Sequence, residues 1–241
     1  MPMSRHLRAL GRHDLPAGIE LDGRKYKLVQ TFKHNSASAV GLYETDGDRV
    51  VLKCYRAAPL LIVPTGWAGR LMASHEASIM ARVQDMPGVP RLRGRYGKAG
   101  LVRDYVPGVP LTRSTPVGAD FFPQFFRLLR DMHRRGIAYV DLEKAENILL
   151  GEDGRPHLID FQVAVRVPDS CLGGLVPLRW LRRHLQRSDR YHAVKHFRRI
   201  RRGELTAEKK ARLRRKPWLV RLSNVVNAPY KKLKRALFGK G

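Results

Sequence analysis

Tyr139–Gln162 reads YVDLEKAENILLGEDGRPHLIDFQ. Asp141-Leu142 leads into the run Asn147-Ile148-Leu149-Leu150, and Gly151-Glu152-Asp153-Gly154 has the composition of a hairpin turn. The chain then returns through His157–Ile159 to Asp160-Phe161. A hairpin of this kind brings Asn147 and Asp160 to the same end of a strand pair. Polar groups mounted on buried apolar strands cost stability unless they are used. Their order here suits the holding of two magnesium ions and a nucleophilic hydroxyl beneath the γ-phosphate of a nucleotide.

Upstream, residues 119–136 carry Phe121, Phe122, Phe125, Phe126, Leu128, Leu129 and Met132 on one side of an amphipathic helix. The helix is expected to stop at Gly136, after the basic His133-Arg134-Arg135. Before it, LVRDYVPGVPL (101–111) reads as a strand ending in a Pro-Gly-Val-Pro linker. Residues 17–57 alternate as strands: ELDGRKYKLVQTF, AVGLYET and RVVLKCYR, with Asp46-Gly47-Asp48 as a hairpin turn. Residues 65–83 read as a helix with Leu71, Met72, His75, Ile79 and Met80 at helical spacing.

A strand–loop–strand, a strand lysine, a helix glutamate and then Asp…Asn…Asp-Phe together resemble the protein-kinase-like superfamily. The short forms are most similar: RIO-type kinases and the bacterial lipopolysaccharide (Kdo/heptose) sugar kinases. The resemblance covers roughly residues 20–165. It implies an α+β, bilobal fold with a small β-rich N-lobe and a mainly helical C-lobe. The expected organisation is an N-terminal extension (1–16), the N-lobe (17–107), the C-lobe with the catalytic loop (108–177) and a basic, mostly helical tail (178–241).

The same resemblance implies the roles. Lys53, after Val50-Val51-Leu52, matches the lysine that pairs with the α/β-phosphates, and Glu76 matches the helix carboxylate that holds it. Taken alone, Lys53 reads as a snorkelling strand-end lysine and Glu76 as a solvated helix position. Asp141 matches the aspartate that orients the attacking hydroxyl, and Asn147 and Asp160 match the magnesium ligands. ATP and Mg2+ are the implied cofactors.

Three positions depart from the pattern. Five residues, Leu142–Glu146, separate Asp141 from Asn147 where four are expected. Either the loop bulges and keeps Asp141 in place, the preferred reading, or Glu143 takes part of its role. The phosphate-covering segment, Thr31–Gly41, has one glycine and no GxGxxG; Ser36 and Ser38 lie in its small-residue stretch, whose backbone N–H groups would approach a phosphate. Gln162 stands where glycine follows Asp-Phe. No Ala-Pro-Glu segment follows Asp160, so a peptide-docking platform is not expected and a non-peptide acceptor is favoured.

Composition frames these expectations. The 241 residues are 43% hydrophobic, which argues against wholesale disorder, yet the net charge is +26. Residues 179–241 hold 22 of the 47 Lys and Arg but only three of the 21 acids, so the excess belongs to the tail. Trp180, Trp218 and Tyr230 punctuate it; Trp218, Leu222, Val225 and Val226 share one helical face, and Tyr230, Leu233 and Leu237 another. Basic amphipathic pieces with aromatic anchors suit an anionic membrane surface. Packing on the lobe and RNA contact are the competing readings, and charge alone argues weakly for RNA. Two cysteines, Cys54 and Cys171, exclude a disulfide framework and a zinc cluster. The first sixteen residues lack a signal-peptide apolar segment, and Leu60–Val63, the longest apolar run, cannot span a bilayer. The expected location is cytoplasmic, peripheral at the inner membrane surface, with a sugar or protein hydroxyl as acceptor.

Overall fold

The computed structural model describes residues 8–59, 66–167 and 176–201. They divide into two compact units. One runs to Asp85 and adds Pro90–Val106; the other takes Met86–Val89 and the chain from Pro107 onward.

The first unit contains β1 (Gly18–Leu21), β2 (Arg24–His34), β3 (Ser38–Thr45), β4 (Asp48–Tyr55), α1 (Gly66–Met80), β5 (Leu92–Tyr96) and β6 (Gly100–Asp104). One antiparallel sheet runs in the order β1-β2-β3-β4-β6-β5. The run expected as a single strand breaks into β1 and β2 at Asp22-Gly23. Both residues have positive φ (51° and 74°), the backbone that a two-residue Asp-Gly hairpin turn requires. Asp46-Gly47 makes the expected turn between β3 and β4.

Central strand β4 is buried on both faces. Val50, Leu52 and Cys54 enter a core with Ile19, Tyr26, Ala39, Tyr43 and Val102. Burial pushes the Cys54 thiol up to about 11, leaving it protonated and inert. Strand alternation sends Val51, Lys53 and Tyr55 to the opposite face, against α1. There the helix differs from its sequence reading. Its buried face is Gly69, Ala73, Glu76, Ala77, Ile79 and Met80, while Leu71 and His75 point to solvent. The cause is close approach: a Cβ on Gly69 would lie 2.1 Å from the Arg56 carbonyl oxygen. Only glycine fits at that position.

The second unit contains β7 (Gly108–Pro110), α2 (Phe121–Arg134), β8 (Ile137–Ala138), a 3-10 turn (Ala145–Asn147), β9 (Ile148–Gly151), β10 (Pro156–Leu158), β11 (Val165–Arg166) and α3 (Val176–Ile200). The stretch expected as a linker is strand β7, antiparallel to Leu149–Gly151 of β9. Gly108 makes this possible, because a Cβ there would meet the Leu150 carbonyl at 2.4 Å. The expected hairpin forms, with Leu150 opposite Pro156 and Ile148 opposite Leu158.

Helix α2 buries Phe121, Phe122, Phe125, Leu128, Leu129 and Met132. It ends before Gly136, whose φ of 72° is the left-handed backbone glycine adopts most readily. Phe122 packs edge-on against Phe197 of α3, ring centroids 5.0 Å apart. The first part of the basic tail is thus a 25-residue helix that buries Ala193, Val194 and Phe197 together with Asp189, His192 and His196. The tail positions Trp218, Leu222, Val225, Val226, Tyr230, Leu233 and Leu237 lie outside the described residues. Among the described residues, no helix is long and apolar enough to cross a membrane.

Candidate active site

In the first unit, alternation along β4 turns Lys53 toward α1. Its Nζ lies 2.9 Å from Glu76 Oε2 and donates to Oε1 at 3.2 Å. Lys53 is 6% exposed and Glu76 1%. Tyr55, two residues along the same face, donates its hydroxyl to Glu76, and its ring centroid lies 5.0 Å from Lys53 Nζ. A buried ion pair recovers its desolvation cost only when further hydrogen bonds complete it, and Tyr55 supplies one. The result is a fixed ammonium on a central strand.

Ser36 lies in the turn joining β2 to β3, and Ser38 is the first residue of β3. Asn35 Oδ1 accepts the Ala37 N–H at 2.9 Å and the Ser38 N–H at 3.0 Å. The Asn35 N–H donates to the Ser38 carbonyl at 3.1 Å. The Arg56 guanidinium donates to the Ser36 carbonyl at 2.8 Å. Ser38 itself is buried. In this conformation, the Ala37 and Ser38 amides that a phosphate would use are taken by the Asn35 side chain.

In the second unit the loop after β8 makes a tight turn. Val140 has φ 70°, and the Asp141 N–H reaches back to the Tyr139 carbonyl at 2.9 Å. This is a γ-turn of the strained, positive-φ kind, unusual for a β-branched residue. Asp189 of α3 holds it. Its carboxylate accepts the N–H of Tyr139 and of Val140, each at 2.8 Å, and pairs with His133 Nε2 at 2.9 Å.

The turn delivers Asp141 into a polar cluster. Its Oδ2 accepts from Lys144 Nζ at 2.7 Å and from Asn147 Nδ2 at 2.9 Å. The loop's additional residue is absorbed by a turn, Lys144 N–H to Asp141 carbonyl at 3.3 Å, followed by the 3-10 turn. Glu143 is exposed, whereas Asp141 is half-buried. The Lys144 ammonium is held above its ordinary value. Burial opposes its charge, but the hydrogen bond to Asp141 and the fields of Asp141, Asp160 and Glu146 outweigh that.

Asp160 follows β10. Its Oδ1 accepts the Gln162 N–H at 3.2 Å, and its own N–H donates to the Tyr139 hydroxyl at 3.3 Å. The Ile159 N–H donates to the Asn147 carbonyl at 3.2 Å, so hairpin pairing sets Asn147 and Asp160 at one end of β9 and β10. Because Asn147 gives its Nδ2 to Asp141, its amide oxygen joins the Asp160 carboxylate as a hard oxygen donor of the kind magnesium takes. Among the described residues, no three His, Cys, Asp or Glu are grouped to hold a metal. A cation bound here would complete its shell with water and phosphate oxygens.

Each expected site residue therefore has a place. Lys53 and Glu76 are paired in one unit, and Asp141, Asn147 and Asp160 are gathered in the other. Ser36 and Ser38 sit in a turn closed on itself. Sequence reasoning missed Lys144, which stands three residues after Asp141, and it missed Asp189. The available signal for Asp189 was its solitude, since it is the one acid in Val176–Ile200.

No family model matches the sequence. Among solved structures, the chain is similar to the Rio2 kinase of Chaetomium thermophilum in its ADP/Mg2+-phosphoaspartate complex. The two share 18% sequence identity with a TM-score of 0.56, over 75% of this chain and 58% of that one. The chain spans little more than half the length of that structure. It has a protein-kinase-like fold: a β-rich unit carrying one helix, then a mainly helical unit carrying the loop and hairpin.

Proposed function

We propose that the protein is an ATP- and Mg2+-dependent phosphotransferase that acts on an alcohol hydroxyl. The observation that carries this reading is the cluster at Asp141: one carboxylate oxygen held by both Lys144 and Asn147, beside the hairpin end bearing Asp160. Phosphoryl transfer needs little covalent chemistry from the protein; it needs positioning and cations where charge spreads over the moving group. Asp141 orients the acceptor hydroxyl and takes its proton as the new P–O bond forms; the bond from the γ-phosphorus to the β–γ bridging oxygen breaks, and ADP leaves with that electron pair. Lys144 and Lys53 supply fixed positive charge toward phosphate oxygens, and Glu76 with Tyr55 keeps Lys53 extended. Asn147 and Asp160 would hold the magnesium. Magnesium, when bound, neutralises phosphate charge.

The acceptor in this reading is a membrane-associated sugar of the lipopolysaccharide-core type, with the protein peripheral at the cytoplasmic face of the inner membrane. Support comes from the missing Ala-Pro-Glu segment and from α3. There Arg183, Arg187 and Trp180 are exposed along a helix whose one acid is buried. A protein serine acceptor, with the basic tail on a polyanion, is the second reading, favoured by the similarity to the Rio2 kinase. The closed Asn35 turn favours a third, a nucleotide-binding adaptor of low activity.

The test is transfer from γ-labelled ATP-Mg in a membrane extract, comparing wild type with Asp160→Ala. Label in glycolipid that vanishes in the variant supports the first reading, and label in protein supports the second. Nucleotide binding without variant-sensitive transfer supports the adaptor.

A further inference from the structure

Helix α3 reaches the loop at a second point beyond Asp189. His196 is 3% exposed, and its Nε2 lies 2.6 Å from the carbonyl oxygen of Leu142. A carbonyl only accepts, so the imidazole carries its proton on Nε2 and donates it. Asp189, His192 and His196 are spaced i, i+3, i+7, which sets all three on one face of α3. All three are buried. Burying such polar groups is costly unless each has work to do. Asp189 holds the amides of Tyr139 and Val140, on the N-terminal side of Asp141. His196 holds the carbonyl of the residue directly after it.

We propose that His196 is a positioning residue for Asp141. By donating to the Leu142 carbonyl, it fixes the backbone where the loop carries its additional residue. The longer loop has more backbone freedom between Asp141 and Asn147 than a shorter one. A clamp on both sides of Asp141 leaves its carboxylate at a set distance from Asn147 Nδ2, and the surplus residue is taken up downstream in the turn Asp141–Lys144. Burial, with the nearby Arg199 and Lys195, outweighs the opposing pull of the carbonyl bond and holds the ring below its ordinary histidine pKa, hence neutral and able to serve as a single-proton donor.

This inference rests on the phosphotransferase reading only for its kinetic arm. In the full-length wild type, the nitrogen-15 shifts of His196 should report the Nε2–H tautomer; an Nδ1–H tautomer would overturn the proposal. His196→Leu should raise hydrogen exchange of the 142–147 amides at least about tenfold, while amides elsewhere in α3 stay protected. It should lower kcat for ATP-Mg hydrolysis about tenfold or more with KM unchanged. His196→Gln, which can offer an amide N–H in the same direction, should restore both. Unchanged loop exchange in the Leu variant, or a Gln variant that is folded yet as fast-exchanging as Leu, overturns it. Absence of turnover in the wild type counts against the functional reading alone, because tautomer and exchange still decide this one.

Discussion

The Asp189 carboxylate accepts the backbone N–H of Val140 at 2.8 Å, and Val140 is a β-branched residue held at φ 70°. Such backbone costs on the order of 1–3 kcal/mol and persists only where its surroundings impose it. One buried carboxylate, 49 residues downstream, supplies that constraint and also takes the Tyr139 N–H and His133.

Asp189→Asn keeps the shape but can no longer accept both amides and the imidazole. Stability should fall by about 2 kcal/mol, and phosphoryl transfer by more than tenfold. Thermal unfolding and single-turnover transfer measure the two effects. Wild-type transfer in a folded variant would show that the turn holds itself.

Glu76→Ala leaves the Lys53 ammonium and the Tyr55 hydroxyl buried without their shared partner. Removing one member of a buried pair costs about 3–5 kcal/mol. Glu76→Gln should be milder in unfolding assays, yet both variants should weaken ADP-Mg binding in calorimetry by about tenfold. Unaltered nucleotide affinity would remove Lys53 from the phosphate site.

Asp141→Asn and Asp160→Ala should separate two roles. The first should cut transfer by about a hundredfold or more with nucleotide binding retained. The second should abolish the magnesium dependence of nucleotide affinity. Equal loss of magnesium dependence in Asp141→Asn would reassign that carboxylate to the metal.

Acid should destabilise the second unit. Burial, with Lys195 and His196 nearby, pushes His192 down to about 4 against the opposing fields of Glu143 and Asp189. Because the folded-state pKa lies below the unfolded value, the unfolded chain binds the proton first. Stability is then full above about pH 6.5 and is lost as pH falls toward 4. The loss from this one group is on the order of 3 kcal/mol. Denaturant midpoints from pH 7 to 4 should fall, and His192→Leu should flatten that slope. An unchanged slope would place the acid sensitivity elsewhere, for instance at Asp153, which the Arg155 amide and His157 hold below its usual range against partial desolvation.

Much of the site is readable along the chain because its parts are local. Gly151–Gly154 forces a hairpin, and that hairpin alone sets Asn147 and Asp160 at one end. Lys53 follows from the apolar run before it and strand alternation. Helix α2 and its stop at Gly136 follow from phenylalanine spacing and a left-handed glycine. Helix α1 was readable, but its buried face was not: size mattered more than apolarity, since the Arg56 carbonyl leaves room only for glycine at position 69, and Leu71 lies exposed. The reading failed at Gly108–Pro110, where a proline-flanked segment that reads as a linker finds a strand partner in Leu149–Gly151.

By itself, then, the sequence determined which polar groups are present, their order, and the strands and turns that carry them, because periodicity and turn chemistry act over a few residues. Only the tertiary structure decided that Tyr55 completes the Lys53–Glu76 pair and that Asn35 closes the turn at Ser36 and Ser38. It alone set Asp189 and His196 against the loop about Asp141. These are contacts between residues 21 to 54 positions apart or turns of side chain onto backbone. They form because a buried donor or acceptor must find a partner, and no local pattern announces which partner packing will bring.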